Sequence, residues 1–169
     1  GYHVLPANGD LTAAEVELLH AEHRERRLRN ALAEVAGQYD YVLIDCPPSL
    51  GVLMTSALAA ADELIVPLQC EYYALEGISM MNRVLTQLRE AGVNPRLEIF
   101  GVLMTMFDSR TKLSNEVVSE VRNLLGERVF ETMIPRSTKL AEAPSFGQPI
   151  IHYDKYSAGA AAYEVFAQE

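Results

Sequence analysis

Three apolar runs constrain the fold of this chain more than any other feature. They read "YVLIDC" at residues 41–46, "ELIVPLQC" at residues 63–70 and "LEIFGVLMTMF" at residues 97–107. Runs rich in β-branched and aromatic residues are typical of buried strands, and "YVLIDC" in particular predicts a strand buried on both faces. Helical segments separate the runs. The pattern therefore indicates βαβ units, that is, an α/β fold with a mostly parallel, doubly wound sheet and helices on both faces.

The remaining elements follow from local patterns. Thr12 and Glu15 form a capping-box pattern that predicts the start of a long helix ending at Val35. Ser114 is predicted to cap a helix that Gly126 ends. Further strands are predicted at residues 2–6 and 129–134, a loop at residues 135–150, and further helices at residues 52–61, 74–90 and 156–168. We expect one domain over residues 1–169, with its first strands missing because the chain begins at Gly1 inside a strand-like segment.

Composition and charge bear on three properties of the protein: membrane spans, metal binding and nucleic-acid partners. No apolar stretch approaches the roughly 18 residues that a membrane-spanning helix needs, and the two cysteines lack metal-ligand spacing, as expected for free thiols in the cytoplasm. The net charge of −9 argues against a nucleic-acid partner unless a local basic patch exists. Acidic residues exceed basic ones in residues 1–104 but balance them in residues 105–155, so an anion-binding patch is expected in that later part.

Asp45 ends the first apolar run, and Pro47 and Pro48 follow it. Ligands of parallel sheets bind beyond the carboxyl ends of the strands, where a carboxylate is well placed to hold a hydrated Mg²⁺ beside a phosphate. Two alternatives stay open at this point. Asp45 could simply cap the following turn, or it could be the phosphorylated residue of a receiver domain with Thr105 as its partner, although the chain contains no Lys-Pro pair.

Four longer motifs occur in order: "YDYVLIDCPPSLG", "VPLQCEYYALEG", "GVLMTMFDSRTKLSNEV" and "IPRSTKLAEAPSFGQPI". Together they closely resemble the ParA/Soj-type chromosome and plasmid partition ATPases, a branch of the deviant Walker P-loop family related to MinD. The resemblance implies a cytoplasmic, nucleoid-associated ATPase that binds ATP and Mg²⁺, dimerises when ATP-bound and binds DNA without sequence preference. It also implies stimulation by a ParB-type partner. No basic amphipathic helix closes the chain, which weighs against a MinD-like role at a membrane.

The resemblance places a nucleotide site on particular residues. Asp45 matches the Walker B aspartate, which orders Mg²⁺ through water, and Pro47 belongs to the switch segment that senses the γ-phosphate. Glu71 and Tyr72 follow the next strand, close to the nucleotide and the dimer interface in the family. The strand end that reads the base and the loop that wraps the adenine correspond to the following residues: Thr105, Met106, Asp108, Pro135 and Arg136.

The resemblance also places a DNA-binding patch. Arg110 and Lys139 match positions where family members carry DNA-contacting arginines, and Lys112 and Arg136 add to the same patch. Lys139 departs from the family pattern, because lysine keeps the charge but loses the bidentate geometry of arginine. The segment "HYDKYSAGAAAY" lacks the arginines that many relatives carry there, so the resemblance assigns no DNA contact to the tail.

A phosphate-binding loop is missing from the sequence. Such a loop needs a glycine-rich backbone followed by Gly-Lys-Ser/Thr, and no Gly-Lys pair occurs in the chain. In the family this loop precedes the segment that residues 2–7 resemble, so we expect a fragment that is inactive and poorly stable alone. Two alternatives stay open: an ATPase that positions another cargo, and a naturally truncated, nucleotide-free binding module.

Overall fold

The computed structural model describes residues 1–47 and 49–169, except for the side chain at position 12. Single-turn 3₁₀ segments occur at Arg24–Arg26, Ala36–Gln38, Gly126–Arg128 and Ala143–Phe146. The longer elements, in chain order, are α1 (Asp10–Leu18), α2 (Arg27–Ala33), α3 (Val52–Ala60), β1 (Glu63–Gln69), α4 (Ala74–Glu90), β2 (Glu98–Phe107), α5 (Lys112–Leu125), β3 (Val129–Pro135), α6 (Thr138–Glu142), α7 (Ile150–Tyr153) and α8 (Ala158–Phe166).

The described residues form two compact units. The first contains Gly1–Asp62 and Leu85–Leu97, and the second contains Glu63–Val84 and Glu98–Glu169. In the second unit the strands form a parallel sheet in the order β1-β2-β3, with β1 paired to β2 and β2 to β3. Each pair of neighbouring strands is joined through a helix, as parallel pairing requires. The predicted α/β fold with a parallel sheet is therefore confirmed.

The core of the second unit comes from the strands and from the helices packed on them. Val66 and Leu68 of β1 pair with Val102 and Met104 of β2, and all four side chains are buried. At Gly101 a side chain would collide with Phe130, since a Cβ built there overlaps the carbons of that ring.

The helix α8 packs on β3 through two aromatic rings. The rings of Phe130 and Phe166 meet edge to face, with their centroids 4.9 Å apart. This contact fixes the last helix against the sheet.

The first unit is built from short helices. The buried residues of α3 are small or aliphatic, which allows close helix packing: Ser56, Ala57, Leu58 and Ala59. The Ser56 hydroxyl donates a hydrogen bond to the Arg24 carbonyl at 3.2 Å. Asn94 is buried and donates from its side-chain amide to the carbonyls of Leu58 at 2.9 Å and Ala61 at 2.8 Å, with a longer 3.5 Å contact to that of Ala59. The end of α3 is thereby capped by a side chain from another segment.

Two predicted strands are wrong. Residues 2–6 and 41–46 have no assigned strand, and the side chains of Tyr41 and Leu43 are 87% and 90% exposed rather than buried. A strand exists only when a neighbour accepts and donates its backbone hydrogen bonds. Among the described residues, 1–47 and 49–169, the sheet contains only β1, β2 and β3. Neither run therefore has a neighbouring strand with which to exchange backbone hydrogen bonds.

The long helix predicted from Thr12 to Val35 is also wrong, because it is divided into α1 and α2 by residues 19–26. The capping box fails too, since α1 begins at Asp10, before Thr12. His23 adopts a left-handed conformation with φ of 51°, which no helix interior tolerates.

Two further predictions need correction. The N-cap of α5 is Thr111, whose hydroxyl accepts a hydrogen bond from the Ser114 amide at 3.3 Å, so Ser114 is not the cap. Residues 135–150 are not a plain loop, because they contain α6, a 3₁₀ turn and the first residue of α7. The bounds of α4 and the end of α5 at Gly126 are confirmed.

Candidate functional site at the carboxyl edge of the sheet

The carboxyl ends of all three strands meet at one edge of the second unit. Gln69 at the end of β1 pairs with Thr105 of β2, and Phe107 pairs with Pro135 of β3. The residues that directly follow β1 and β3 are also hydrogen-bonded to β2. The Cys70 amide donates to the Thr105 carbonyl, and the Arg136 amide donates to the Phe107 carbonyl, both at 2.9 Å. The segments predicted to contact a nucleotide after β1, β2 and β3 are thus held side by side.

An ion pair joins the two outer segments of this edge. The Arg136 guanidinium donates to a carboxylate oxygen of Glu71 at 2.9 Å, and both side chains are a little more than half exposed. Tyr72, the next residue, is exposed, with its ring edge to face against Tyr73 at a centroid distance of 5.2 Å. The edge is therefore an open surface with polar and aromatic side chains directed to solvent.

Met106 has an unusual backbone conformation. Its φ is 54°, although it lies in β2, and the register of β2 against β3 shifts between Met104 and Phe107. A left-handed conformation is uncommon for a residue other than glycine, and such strained positions cluster at ligand sites. The strain lies at one of the positions where the sequence predicts a base-reading contact.

Asp108 and Arg110 form a tight charged pair just after β2. Asp108 accepts hydrogen bonds from the Arg110 backbone amide at 3.0 Å and from its guanidinium at 2.9 Å and 2.8 Å. The side-chain hydrogen bonds from Arg110, supported by its backbone amide and its charge, lower the pKa of Asp108 to about 2. The Asp108 carboxyl is therefore ionised above this pKa, and both of its oxygens already accept hydrogen bonds from Arg110.

The other three predicted DNA-binding cations are paired in the same way. Lys112 contacts Glu116 at 3.2 Å, Lys139 contacts Glu142 at 3.3 Å, and Arg136 contacts Glu71 as described. The Lys139 ammonium also lies 5.6 Å from the centroid of the Tyr153 ring. The hydrogen bond to Glu142 raises the pKa of Lys139. All four cations are held by carboxylates of the second unit.

Asp45 and Pro47 lie in the first unit, in a segment without regular secondary structure. The Asp45 side chain is exposed, and its charge adds to the effect of burial in raising the pKa of the neighbouring Cys46 thiol, with burial the larger cause. Pro48 lies outside the described residues. Among the residues that the structure describes, no three His, Cys, Asp or Glu side chains are close enough to hold a metal ion directly.

The acidic partners of the four cations were not predicted from the sequence. Glu142 accepts hydrogen bonds from Lys139 and, at 3.0 Å, from the Tyr153 hydroxyl, and the Tyr153 ring stacks on Phe146 at 5.0 Å. The helical spacing of Lys112 with Glu116 and of Lys139 with Glu142 could have predicted two of the pairs. Nothing in the local sequence indicates the contacts of Tyr153 or the pairing of Arg136 with Glu71.

Comparison with known proteins identifies the family to which the chain belongs. Residues 1–99 match the model of a family described as an AAA domain. The chromosome partitioning protein ParA of Myxococcus xanthus is 52% identical over 166 residues, covering 98% of this chain and 58% of that protein. The chromosome-partitioning ATPase Soj of Treponema pallidum is 50% identical over 165 residues, covering 98% of this chain and 65% of that protein.

A solved structure agrees with the fold. It is described as cobyrinic acid a,c-diamide synthase from Mycobacterium smegmatis with bound ADP and magnesium, and it is 40% identical with a TM-score of 0.79. The match covers 97% of this chain and 59% of that one. The chain thus spans about three-fifths of the length of the relatives it matches. No helix in the described parts of the chain has the length and apolar character needed to cross a membrane.

Proposed function

The chain belongs to the AAA-domain family of ParA- and Soj-type partition ATPases, and from this premise we propose that it is part of an ATP-dependent DNA-partitioning ATPase. The observation that carries the proposal is the identity of 50–52% to two partition proteins along 98% of the chain. The complete protein binds ATP with Mg²⁺, dimerises, binds DNA without sequence preference and is stimulated by a ParB-type partner. It acts in the cytoplasm at the nucleoid, and residues 1–169 belong to a single ATPase domain.

Each unit contributes different residues to the proposed nucleotide contacts. Asp45 is an exposed carboxylate, which suits an ion that keeps most of its water shell. On the second unit the base side consists of Glu71, Tyr72, Thr105, Met106, Asp108, Pro135 and Arg136, which lie at the carboxyl edge where ligands of parallel sheets bind. Pro47 belongs to the γ-phosphate switch. The strained backbone at Met106 supports a ligand contact there.

The chain does not supply a phosphate cradle of its own. Each of its lysines follows a residue other than glycine, whereas a P-loop needs Gly-Lys followed by Ser or Thr. Bound ATP would supply the phosphoryl group for hydrolysis, but positioning it requires donors that these residues do not provide. We therefore expect residues 1–169 alone to be inactive as an ATPase.

The proposed DNA-binding face of the protein consists of four cationic residues: Arg110, Lys112, Arg136 and Lys139. All four side chains are about half exposed or more, and all lie in the second unit. Exposed cations attract the phosphate backbone without reading its sequence. Each cation now contacts a carboxylate, so DNA phosphates would have to replace Glu71, Asp108, Glu116 and Glu142. Binding should accordingly be weak and readily reversed, as transient attachment to the nucleoid requires.

The DNA proposal is tested by replacing two of the four cations. Arg110→Ala with Lys139→Ala in the complete protein should abolish binding to a non-specific duplex in an electrophoretic mobility-shift assay, while ATP-driven dimerisation remains. The matched control is Arg83→Ala with Arg128→Ala, which removes the same charge from exposed positions of the same unit. Normal DNA binding by the first double variant would show that the patch is misplaced.

The nucleotide proposal is tested with a fluorescent ATP analogue. Asp45→Ala in the complete protein should remove the Mg²⁺-dependent part of the fluorescence change, because the ordered water shell loses its carboxylate. Asp40→Ala is the control, since Asp40 is another exposed carboxylate of the first unit. Mg²⁺-dependent binding by residues 1–169 alone would contradict the idea that these residues need an added phosphate cradle.

A further inference from the structure

One carboxylate oxygen in the second unit is shared by two donors. The Oε2 atom of Glu142 lies 3.3 Å from the Lys139 ammonium and accepts a hydrogen bond from the Tyr153 hydroxyl at 3.0 Å. Lys139 is one of the four cations of the proposed DNA-binding face, whereas Tyr153 belongs to neither the DNA contacts nor the nucleotide contacts proposed above. A second, unassigned donor thus faces the position of an anionic oxygen.

The acceptor and both donors are in the protonation states that this contact needs. The hydrogen bond from Tyr153, and next the one from Lys139, lower the pKa of Glu142. Desolvation, followed by the hydrogen bond to Glu142, raises the pKa of Tyr153, and the same carboxylate raises the pKa of Lys139. At neutral pH an ionised oxygen therefore lies between an ammonium group and a phenol that keeps its proton.

The Tyr153 side chain is held by packing as well as by its hydrogen bond. Its ring stacks on Phe146, with the centroids 5.0 Å apart and an angle of 28° between the ring planes. Tyr153 also packs against a cluster of buried residues: Ala143, Ile150 and Ala160. The phenol hydroxyl therefore keeps its position when a different acceptor replaces the Glu142 carboxylate.

A backbone phosphate of DNA offers the same kind of acceptor as Glu142, an anionic oxygen that can accept from two donors. We propose that in the DNA complex a phosphate oxygen replaces Glu142 Oε2 and accepts hydrogen bonds from both Lys139 and Tyr153. This assignment rests on the proposed DNA-binding function. It makes Tyr153 a further DNA-contacting residue, and it makes Glu142 the occupant of a phosphate site in the free protein.

The second donor compensates for the chemistry of lysine. A lysine ammonium is a point charge, whereas the planar fork of an arginine presents two parallel donors to one phosphate. With Tyr153 beside it, Lys139 again belongs to a two-donor site, since the hydroxyl and the ammonium meet at one oxygen. The pair thus supplies the two hydrogen bonds that a single arginine would make.

The site is open to an incoming phosphate. The side chains of Lys139 and Glu142 are 48% and 46% exposed, and they lie three residues apart on α6. An exposed ion pair of this kind contributes little to stability. The Glu142 carboxylate can therefore turn to solvent at a small cost, while the backbone of α6 stays in place.

The test uses the complete protein with ATP and Mg²⁺, titrated onto a fluorescein-labelled non-specific duplex and followed by fluorescence anisotropy. Tyr153→Phe removes the hydroxyl and keeps the ring, and it should weaken DNA binding by about three- to tenfold through the loss of one hydrogen bond. The matched control is Tyr163→Phe, which removes a hydroxyl from an exposed tyrosine of the same unit. The control should leave binding within about twofold.

The salt dependence separates a direct contact from an effect through the lysine. Tyr153 carries no charge, so Tyr153→Phe should lower the affinity without changing the slope of affinity against salt on logarithmic axes. Lys139→Ala should make that slope shallower by at most about 0.9. A similar flattening in Tyr153→Phe would show that the tyrosine only positions Lys139, and it would overturn the direct contact.

Two further variants act on the other members of the site. Glu142→Gln removes the competing charge and keeps the shape of the side chain, so it should tighten DNA binding by about threefold. Lys139→Arg restores two donors on one side chain, so Tyr153→Phe should weaken binding less in that background than in the wild type. Equal weakening in both backgrounds would contradict the shared phosphate oxygen.

The outcomes distinguish the tyrosine contact from the DNA proposal on which it rests. A wild-type protein that does not bind the duplex would overturn both. Wild-type binding that Tyr153→Phe leaves within about twofold would overturn the tyrosine contact alone. Circular dichroism checks the folding of each variant. If Tyr153→Phe is unfolded, the exposed substitution Glu142→Gln decides the question, because weaker or unchanged DNA binding by that variant would show that the carboxylate does not occupy a phosphate site.

Discussion

Asn94 gives the sharpest test of how the first unit is held together. Its side chain is only 5% exposed, and its amide is the donor to two carbonyls at the end of α3 at distances of 2.8 Å and 2.9 Å. Those carbonyls belong to the last turn, where a helix has no backbone donors of its own. Asn94→Ala removes both hydrogen bonds, so the buried carbonyl of Leu58 and the partly buried carbonyl of Ala61 lose this donor. We expect the free energy of unfolding to fall by about 1 to 3 kcal/mol.

A second substitution separates hydrogen bonding from packing. Asn94→Asp keeps the shape of the side chain but replaces the donating amide with a carboxylate, which can only accept and faces carbonyl oxygens. The loss should therefore exceed that of Asn94→Ala at neutral pH and should shrink as the pH falls and the carboxyl is protonated. A simple loss of side-chain volume predicts the opposite order.

The assay is urea unfolding followed by circular dichroism, with Asn30→Ala as the control, because Asn30 is an exposed asparagine on α2. The control should change the free energy of unfolding by less than about 0.5 kcal/mol. If Asn94→Ala also stays within that limit, or if Asn94→Asp is as stable as the wild type at neutral pH, the capping of α3 by Asn94 is refuted.

Three other outcomes can be measured. The Asp108 carboxyl should titrate in NMR near its pKa of about 2, so its charge is kept above its ordinary pKa of 3.8 and lost only as the pH falls towards 2; Arg110→Ala should return the midpoint towards 3.8, and an unshifted midpoint would disprove the pair. Cys70 should react with iodoacetamide more slowly than Cys46 at pH 8, because Cys70 is buried and burial raises its pKa to about 11; equal rates would contradict this. Gly101→Ala should lower the melting temperature, since the new methyl group collides with the aromatic ring above it; an unchanged melting temperature would show that the ring moves aside freely.

Helices and strands were predicted correctly where the local sequence pattern agrees with the tertiary context. The bounds of α4 and the end of α5 at Gly126 were correct, because amphipathic spacing and a glycine with positive φ act within a few residues. The apolar runs that became β1 and β2 were correct because each has a parallel neighbour. The run at residues 41–46 has a similar composition, but among the described residues no strand pairs with it, so its composition alone misled the prediction.

The candidate site was predictable only in outline. The resemblance assigned nucleotide contacts to the segments after β1, β2 and β3, and the parallel pairing holds those segments side by side at one edge of the sheet. The rule that ligands bind beyond the carboxyl ends of parallel strands was applied to Asp45, which does not follow a strand in the structure. The receiver-domain alternative is excluded by the family to which the chain belongs. Ion pairs such as Arg136 with Glu71 join positions far apart in sequence, and only the folded sheet brings them together.

In the proposed DNA complex, the pairing of the four cations with carboxylates has a consequence for the salt dependence of binding. A free cation that meets a phosphate releases counterions from the DNA, and each such contact adds about 0.9 to the slope of affinity against salt on logarithmic axes. Here each phosphate that binds a cation also displaces that cation's carboxylate partner. The displaced carboxylate then binds a cation from solution. The four carboxylates are Glu71, Asp108, Glu116 and Glu142. Ion uptake then offsets part of the release. The measured salt slope should be shallower than the number of contacting cations implies, and converting the four carboxylates to amides should steepen it.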